Sequence, residues 1–418
     1  MIPWRLIVCA ICCTLLLTGC DIRFNQPEHS IDEASYTSIF PWYAEFCALS
    51  EIDKKPGFGA EIVPGGPGGH SVLYLNGVCR VKDAGYPVVA LCGSGDPKPG
   101  QGVALSVNDH YRNANWIATD GRDFVFHGDL APGEPLTRAA YLRTQATAKA
   151  MGILNGIQFH SRFFQEQPAG MSRIDIMYDL SVATDYAVNF GRDRYCARVP
   201  LDRMKIARMI SYLNAVNAPY RSGKKVFVWD VFENNCSHLA HNVLAIAGLW
   251  PEWPTGRPFL ISLFDFPVPK NEFVNLMLRT NDMPITYPDA LIDDDTARAA
   301  ILAGGVIPTQ PGGLAEAERA VPRNDVYNTD VRLIFYDEPI TGHYHQWFTR
   351  MFREPRFTDL RANLNHFSRL YTSILANEIA PAGPRAEFYA KYYHAIAAEK
   401  TKLDEALHLL SAVPGQRS

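Results

Sequence analysis

The sequence has no marked excess of charge of either sign, no internal repeat and no long low-complexity tract. Lys and Arg number 40 and Asp and Glu 44, a net charge of −4, which speaks against nucleic acid as the main partner. Charged residues make up only 20% and apolar ones 47%, so an intrinsically disordered chain is excluded and a sizeable core can form. Long apolar stretches are scarce. The chief one, Leu6 to Leu17, is shorter than the roughly 20 residues that span a bilayer. Cysteine is sparse too, at nine in 418 residues, and four of the nine lie in the first 20. The length suggests two to three domains.

The apolar run ends in Leu17-Thr18-Gly19-Cys20. A small-residue pair before a cysteine, directly behind an apolar core, resembles the lipobox of a bacterial lipoprotein signal. The resemblance implies that residues 1–19 are a signal peptide. Cleavage would leave Cys20 acylated on its thiol and its new amino group. Such an anchor holds firmly, since each buried methylene contributes about 0.8 kcal/mol. The chain is then expected to be lipid-anchored in the bacterial cell envelope and to face the periplasm. Asp21 resembles an inner-membrane retention signal. Outside the cytoplasm thiols tend to pair. Besides Cys20 there remain Cys47, Cys79, Cys92, Cys196 and Cys236. Five is odd, so two disulfides leave one thiol, and its neighbours single out Cys236. The other four allow three pairings.

The patterning predicts an α+β fold. Residues 20–56 read as a tether and an N-terminal helix, running from an Asp32 cap to about Ile52 with a break at Pro41. Residues 57–254 hold the strand signals: His70 to Leu75 after a glycine loop, Gly102 to Val107, Asn115 to Ala118, Asp123 to His127 and Lys224 to Val231. Helices are expected at Thr137 to Met151 and Leu201 to Val216, with Asp175 to Asn189 mixed in character. Residues 255–418 form a mostly helical region, loop-rich to 330, with long helices at Thr358 to Ile379 and Arg385 to Val413.

One stretch carries chemistry: Asn234-Asn235-Cys236-Ser237-His238-Leu239-Ala240-His241. Asn is a strong helix cap, so Cys236 falls on the first turn of a helix expected to run to Leu249. The helix dipole and free amides there favour a thiolate and can hold an oxyanion. A metal ligand, a disulfide partner and an inert buried thiol are the alternatives. Metal fits poorly, because His238 lies about 200° around the helix from Cys236. Packing does not call for Cys236 either, since Leu239, Val243, Ile246 and Trp250 already form the apolar stripe. A thiol nucleophile needs a base, and His70, heading a strand after a glycine loop, is the candidate.

Gly68 to Gly77, "GGHSVLYLNG", followed much later by "NNCSHLAHNVLAIAG" from Asn234, resembles the circularly permuted papain-like superfamily. That group includes relatives of NlpC-type peptidases and the lecithin–retinol acyltransferase-like enzymes. The likeness covers two short segments and implies a permuted papain-like domain with an antiparallel sheet. It also implies Cys236 as nucleophile and His70 as base, with a third polar residue on a neighbouring strand to orient His70. His127 is the choice for that place, ahead of Asp123, Asn108 and His110. Asn235 and His238 would stand around the nucleophile. The 165 or so residues between His70 and Cys236 exceed the family's compact form and require insertions.

The expected function is therefore acyl transfer or hydrolysis through an acyl-thioester, with no metal and no organic cofactor. The substrate would be a lipid or lipoprotein acyl chain, or else a peptidoglycan peptide. A non-catalytic envelope-binding lipoprotein on the same scaffold is the contrasting class. Three other features weigh less. His343 and His345 alternate like a strand-borne metal pair, Asp293 to Asp295 looks like a helix start, and Phe40 to Phe46 could touch a membrane but is expected in the core.

Overall fold

The computed structural model describes residues 20–22, 28–58, 69–165, 167–231, 233–253, 268–330, 333–335, 337 and 342–412. Its centre is a six-stranded sheet made of β1 (Tyr43–Leu49), β2 (His70–Asn76), β3 (Gly102–Ser106), β4 (Ile117–Asp120), β5 (Arg194–Pro200) and β6 (Leu314–Glu318). The order is β6-β5-β1-β2-β3-β4 and every neighbouring pair is antiparallel. The main helices are α1 (Glu33–Ile39), α2 (Arg122–His127), α3 (Arg138–Met151), α4 (Arg173–Ser181), α5 (Arg203–Arg221), α6 (Cys236–Ile246), α7 (Pro269–Asn281), α8 (Tyr344–Met351), α9 (Leu360–Ala376) and α10 (Ala386–Ala412). The fold is thus α+β, with an antiparallel sheet and a helical C-terminal region.

Helices lie on both faces, so β1 is buried along its whole length. Its side chains alternate between two cores. Ala44, Phe46 and Ala48 join Leu73, Leu75 and Leu105 beneath residues of α5, α6, α7 and α8. Tyr43, Cys47 and Leu49 join Val72, Tyr74 and Cys196 beneath α9 and α10.

Several expectations need correction. The helix expected from Asp32 to about Ile52 stops at Ile39, and after Pro41 the chain becomes the central strand. A strand covered on both faces reads as a continuous apolar run, without the alternation that would mark it. The strand expected over 123–127 is helix α2. The strand expected at 224–231 does not form. Val226 and Val228 are 51% and 64% exposed, and the buried Phe227 anchors the segment, its amide donating to Arg112 O at 2.8 Å. Within 175–189, α4 starts earlier, at a Ser172–Asp175 capping box. The edge strand β6 comes from the region expected to be mostly helical, so that region shares the sheet. Part of the expected tether is also tied down: Cys20–Ile22 pairs with Leu333–Phe335, and His29 bridges Ala317. The signal segment 1–19 lies outside the described residues. Among those described, no helix is long and apolar enough to cross a membrane.

Trp42, Tyr43 and Phe46 are core residues, as expected for the aromatic stretch. Asp294 caps the short helix Asp295–Ala299, accepting from Ala297 N at 2.9 Å. His345 lies on α8 rather than on a strand, paired through Nδ1 with Asp337.

Candidate active site

The cysteines sort themselves as the odd count requires. Cys47 bonds Cys196, Cys79 bonds Cys92, and Cys236 is free and partly exposed. It opens α6. Asn235 is the cap: its Oδ1 accepts from His238 N at 2.9 Å, and its Nδ2 donates to Val231 O at 2.7 Å. The amide thus ties the incoming loop to the helix start, which fixes where Cys236 stands.

Helix α6 packs across β2, the strand that His70 begins. Side chains of the next residues meet there, Ser71 Oγ to Ser237 Oγ at 3.4 Å. His70 itself belongs to a buried chain of polar groups. Its Nε2 lies 3.0 Å from Ser106 Oγ on the end of β3, and Ser106 donates to Asp185 Oδ1 at 2.7 Å. Because Ser106 gives its proton to Asp185, it accepts from Nε2–H, and Nδ1 is left as the basic nitrogen. The imidazole and the Cys236 sulfur are not hydrogen-bonded to each other among the described residues. They are brought to the same end of the sheet, where β1 and β3 finish and β2 and β5 begin.

Two buried cations share this end. Arg192, just before β5, is 3% exposed and donates through Nη1 to Ser50 O at 2.8 Å. Lys270, on the first turn of α7, is 1% exposed. A side chain at Gly69, where φ is +72°, would collide with the Lys270 ammonium and with Leu49 O, so only glycine admits Lys270 there. Burial pulls Lys270 down to about 7, with Arg192 adding repulsion and Glu51 and Cys236 opposing it. Burial also lowers Arg192 to about 10, against the attraction of Cys236. Both cations therefore lie within electrostatic range of the thiol.

Burial lowers His70 to about 3, reinforced by Arg192, and it lowers His110 to about 3 as well, reinforced by Arg162. Both rings stay neutral in the fold well below the ordinary value of 6.5. In that window the unfolded chain binds more protons than the folded one. Stability is therefore complete above about 6.5 and falls as pH drops towards 3, by about 1.4 kcal/mol per pH unit for each ring. Urea unfolding of a His70→Gln variant between pH 6.5 and 4 is expected to show a slope shallower by one proton. An unchanged slope would mean that His70 is already protonated in the fold.

Other site expectations resolve as follows. His127 ends helix α2 and bonds Glu318 Oε1 at 2.6 Å, so the group that touches His70 from a neighbouring strand is Ser106. Asp123 is exposed on the same helix. Asn108 supports the chain from behind, its Nδ2 3.4 Å from Asp185 Oδ1. His110 stacks on Phe159 at 5.2 Å. His238 is buried beside Trp253. His241 is sandwiched between Trp250 and Trp253, with Nδ1 on Glu272 at 2.5 Å and Nε2 on Pro251 O at 2.9 Å. Sequence reasoning missed Ser106, Asp185, Arg192 and Lys270. Of these only Lys270 left a trace, in the glycine at position 69.

No protein-family model, curated protein or solved structure matches the chain.

Proposed function

We propose that the chain is a thiol enzyme of the circularly permuted papain-like kind, lipid-anchored through Cys20 on the envelope and facing the periplasm, that transfers or hydrolyses acyl groups. One observation carries the reading. Cys236, the unpaired cysteine among the described residues, is partly exposed on the first turn of a helix that lies across the strand headed by His70. The order along the chain supports it: a strand histidine, then a hydroxyl on the next strand, then the cysteine.

Cys236 would pass its proton to Nδ1 of neutral His70, whose Nε2–H is held by Ser106 and, behind it, Asp185. The thiolate attacks an ester or amide carbonyl. Within α6 the side chain of Asn235 takes the amide of His238 and its carbonyl takes that of Leu239. The amides of Cys236 and Ser237 come before these bonds and face the developing oxyanion. The leaving group departs with the proton from His70, an acyl-thioester remains, and water or an amine resolves it. The proximity of the anchor favours lipid or lipoprotein acyl chains, with peptidoglycan peptides as the second substrate class.

Alkylation and acyl trapping test this. Iodoacetamide at pH 7 should label Cys236 faster than free cysteine. A p-nitrophenyl acyl ester should leave a hydroxylamine-labile adduct on it, absent from Cys236→Ser. His70→Ala should slow acylation by about 10²–10⁴. Labelling no faster than free cysteine, with no adduct, would leave a binding lipoprotein on this scaffold.

A further inference from the structure

Arg192 has a feature that the acyl chemistry does not use. Its Nη1 is taken by Ser50 O, but its Nε is buried without a hydrogen-bond partner among the described residues. An unmet guanidinium N–H in a site sealed from water costs on the order of 1–3 kcal/mol. Groups of this kind are met in the folded protein or by what the protein binds. Cys236, Tyr327, Asp185 and Glu51 act on Arg192, and Arg192, Glu51 and Cys236 act on Lys270. Burial pushes the Asp185 carboxyl up, against the hydrogen bond from Ser106, and Glu51 acts on both cations.

We propose that Arg192 and Lys270 bind an oxyanion of the substrate, a carboxylate or a phosphate, beside Cys236, so that the site takes anionic acyl compounds in preference to neutral ones. The guanidinium edge carrying Nε suits an oxyanion, which it can meet with parallel N–H donors. The ammonium of Lys270, against Gly69 at the head of β2, supplies the second charge. A bound anion also holds Lys270 in its charged form. The inference rests on Cys236 being the reactive thiol, and it narrows the substrate: a phospholipid offers its phosphate and a peptide its terminal carboxylate, while a neutral ester offers neither.

The test uses two alkylating agents that differ in charge. Iodoacetate and iodoacetamide both place a carbon on sulfur with loss of iodide; the disulfide-bonded cysteines do not compete, and following the peptide that carries Cys236 by mass spectrometry leaves out thiols at Cys9, Cys12, Cys13 and Cys20. The iodoacetate-to-iodoacetamide rate ratio for Cys236 in the full chain, at pH 7 and low salt, is expected to exceed that of free cysteine by roughly tenfold. Lys270→Met and Arg192→Gln should each bring the ratio down, and 0.5 M salt should do the same in the native protein, which covers a variant that fails to fold. Inorganic phosphate or N-acetylalanine should protect the thiol where N-acetylalaninamide does not, and the stronger protector identifies the oxyanion. A ratio equal to that of free cysteine overturns the inference and leaves the thiol enzyme standing. So does a loss of both rates in equal proportion in the variants, since the cations would then act on the sulfur alone. Failure to react with either reagent removes the thiol enzyme itself, and the inference with it.

Discussion

Replacement of Glu45 by leucine is expected to cost about 3–5 kcal/mol, read as a shift of the urea midpoint, although it puts an apolar side chain in the middle of the central strand. Glu45 is fully buried and belongs to an ionic cluster on the face of the sheet covered by α9 and α10. Arg122, at the start of α2, grips it side-on, Nε to Oε2 at 3.0 Å and Nη2 to Oε1 at 2.9 Å. Arg198 lies opposite on β5, Nη2 to Oε2 at 3.5 Å. Glu316 completes the centre, accepting from Arg122 at 2.8 Å, Arg194 at 3.0 Å and Arg198 at 3.2 Å. Burial pushes Glu316 up, yet the three guanidiniums outweigh it and hold it down to about 2. Glu33 and Glu318 close the rim through Arg198 and Arg194. Tyr36, Tyr43 and Phe126 lie under the guanidiniums.

Removing Glu45 takes from the buried Arg122 the acceptor of its Nε–H and one of the acceptors of its Nη2, and a charged donor left unmet at full burial sets the size of the effect. The helix pair Lys400–Asp404, with 25% and 52% of its side chains exposed, is the control. Lys400→Ala should move the midpoint by less than about 0.5 kcal/mol, because water screens that pair. Equal shifts in the two variants would mean that water reaches the cluster.

The same cluster explains much of what the sequence concealed. Strand β5 reads Arg-Tyr-Cys-Ala-Arg-Val-Pro, and two arginines at even spacing look like a solvated edge. In the fold Arg194 and Arg198 are 1% and 0% exposed, facing glutamates that lie far away in sequence. Glu45 disguised β1 in the same way. Local signals did better wherever the cause was local. The Asn235 cap, the apolar stripe of α6 and the odd cysteine were all visible, as were β2, β3, α3, α5, α9 and α10. Site residues that act by tertiary approach left little mark: a serine at a strand end, an aspartate in a turn, an arginine just before a strand and a lysine on the first turn of a helix carry no pattern of their own. His127 had the right residue type and the wrong geometry, because Gly121 starts a helix where a strand was expected.

The two disulfides should differ both in their worth and in their reactivity. Cys47 and Cys196 stand directly opposite on β1 and β5 and are 149 residues apart in sequence, whereas Cys79 and Cys92 are 13 apart. If the bridges act mainly by restricting the unfolded chain, the longer loop is worth about 5 kcal/mol and the shorter about 3. Access runs the same way. Cys47 and Cys196 are wholly buried between the sheet and the C-terminal helices, while Cys79 and Cys92 are partly exposed. Mild dithiothreitol under native conditions should therefore open Cys79–Cys92 first, seen as two new alkylated thiols at those positions by mass spectrometry. Cys47–Cys196 should open only together with global unfolding, and a Cys47→Ala, Cys196→Ala variant should lose several times the stability lost by a typical surface substitution. Opening of the buried bridge while the protein remains folded would show that β1 and β5 separate without the rest. The junction between the Cys236 side of the sheet and the ionic side would then be far looser than two closely packed cores imply.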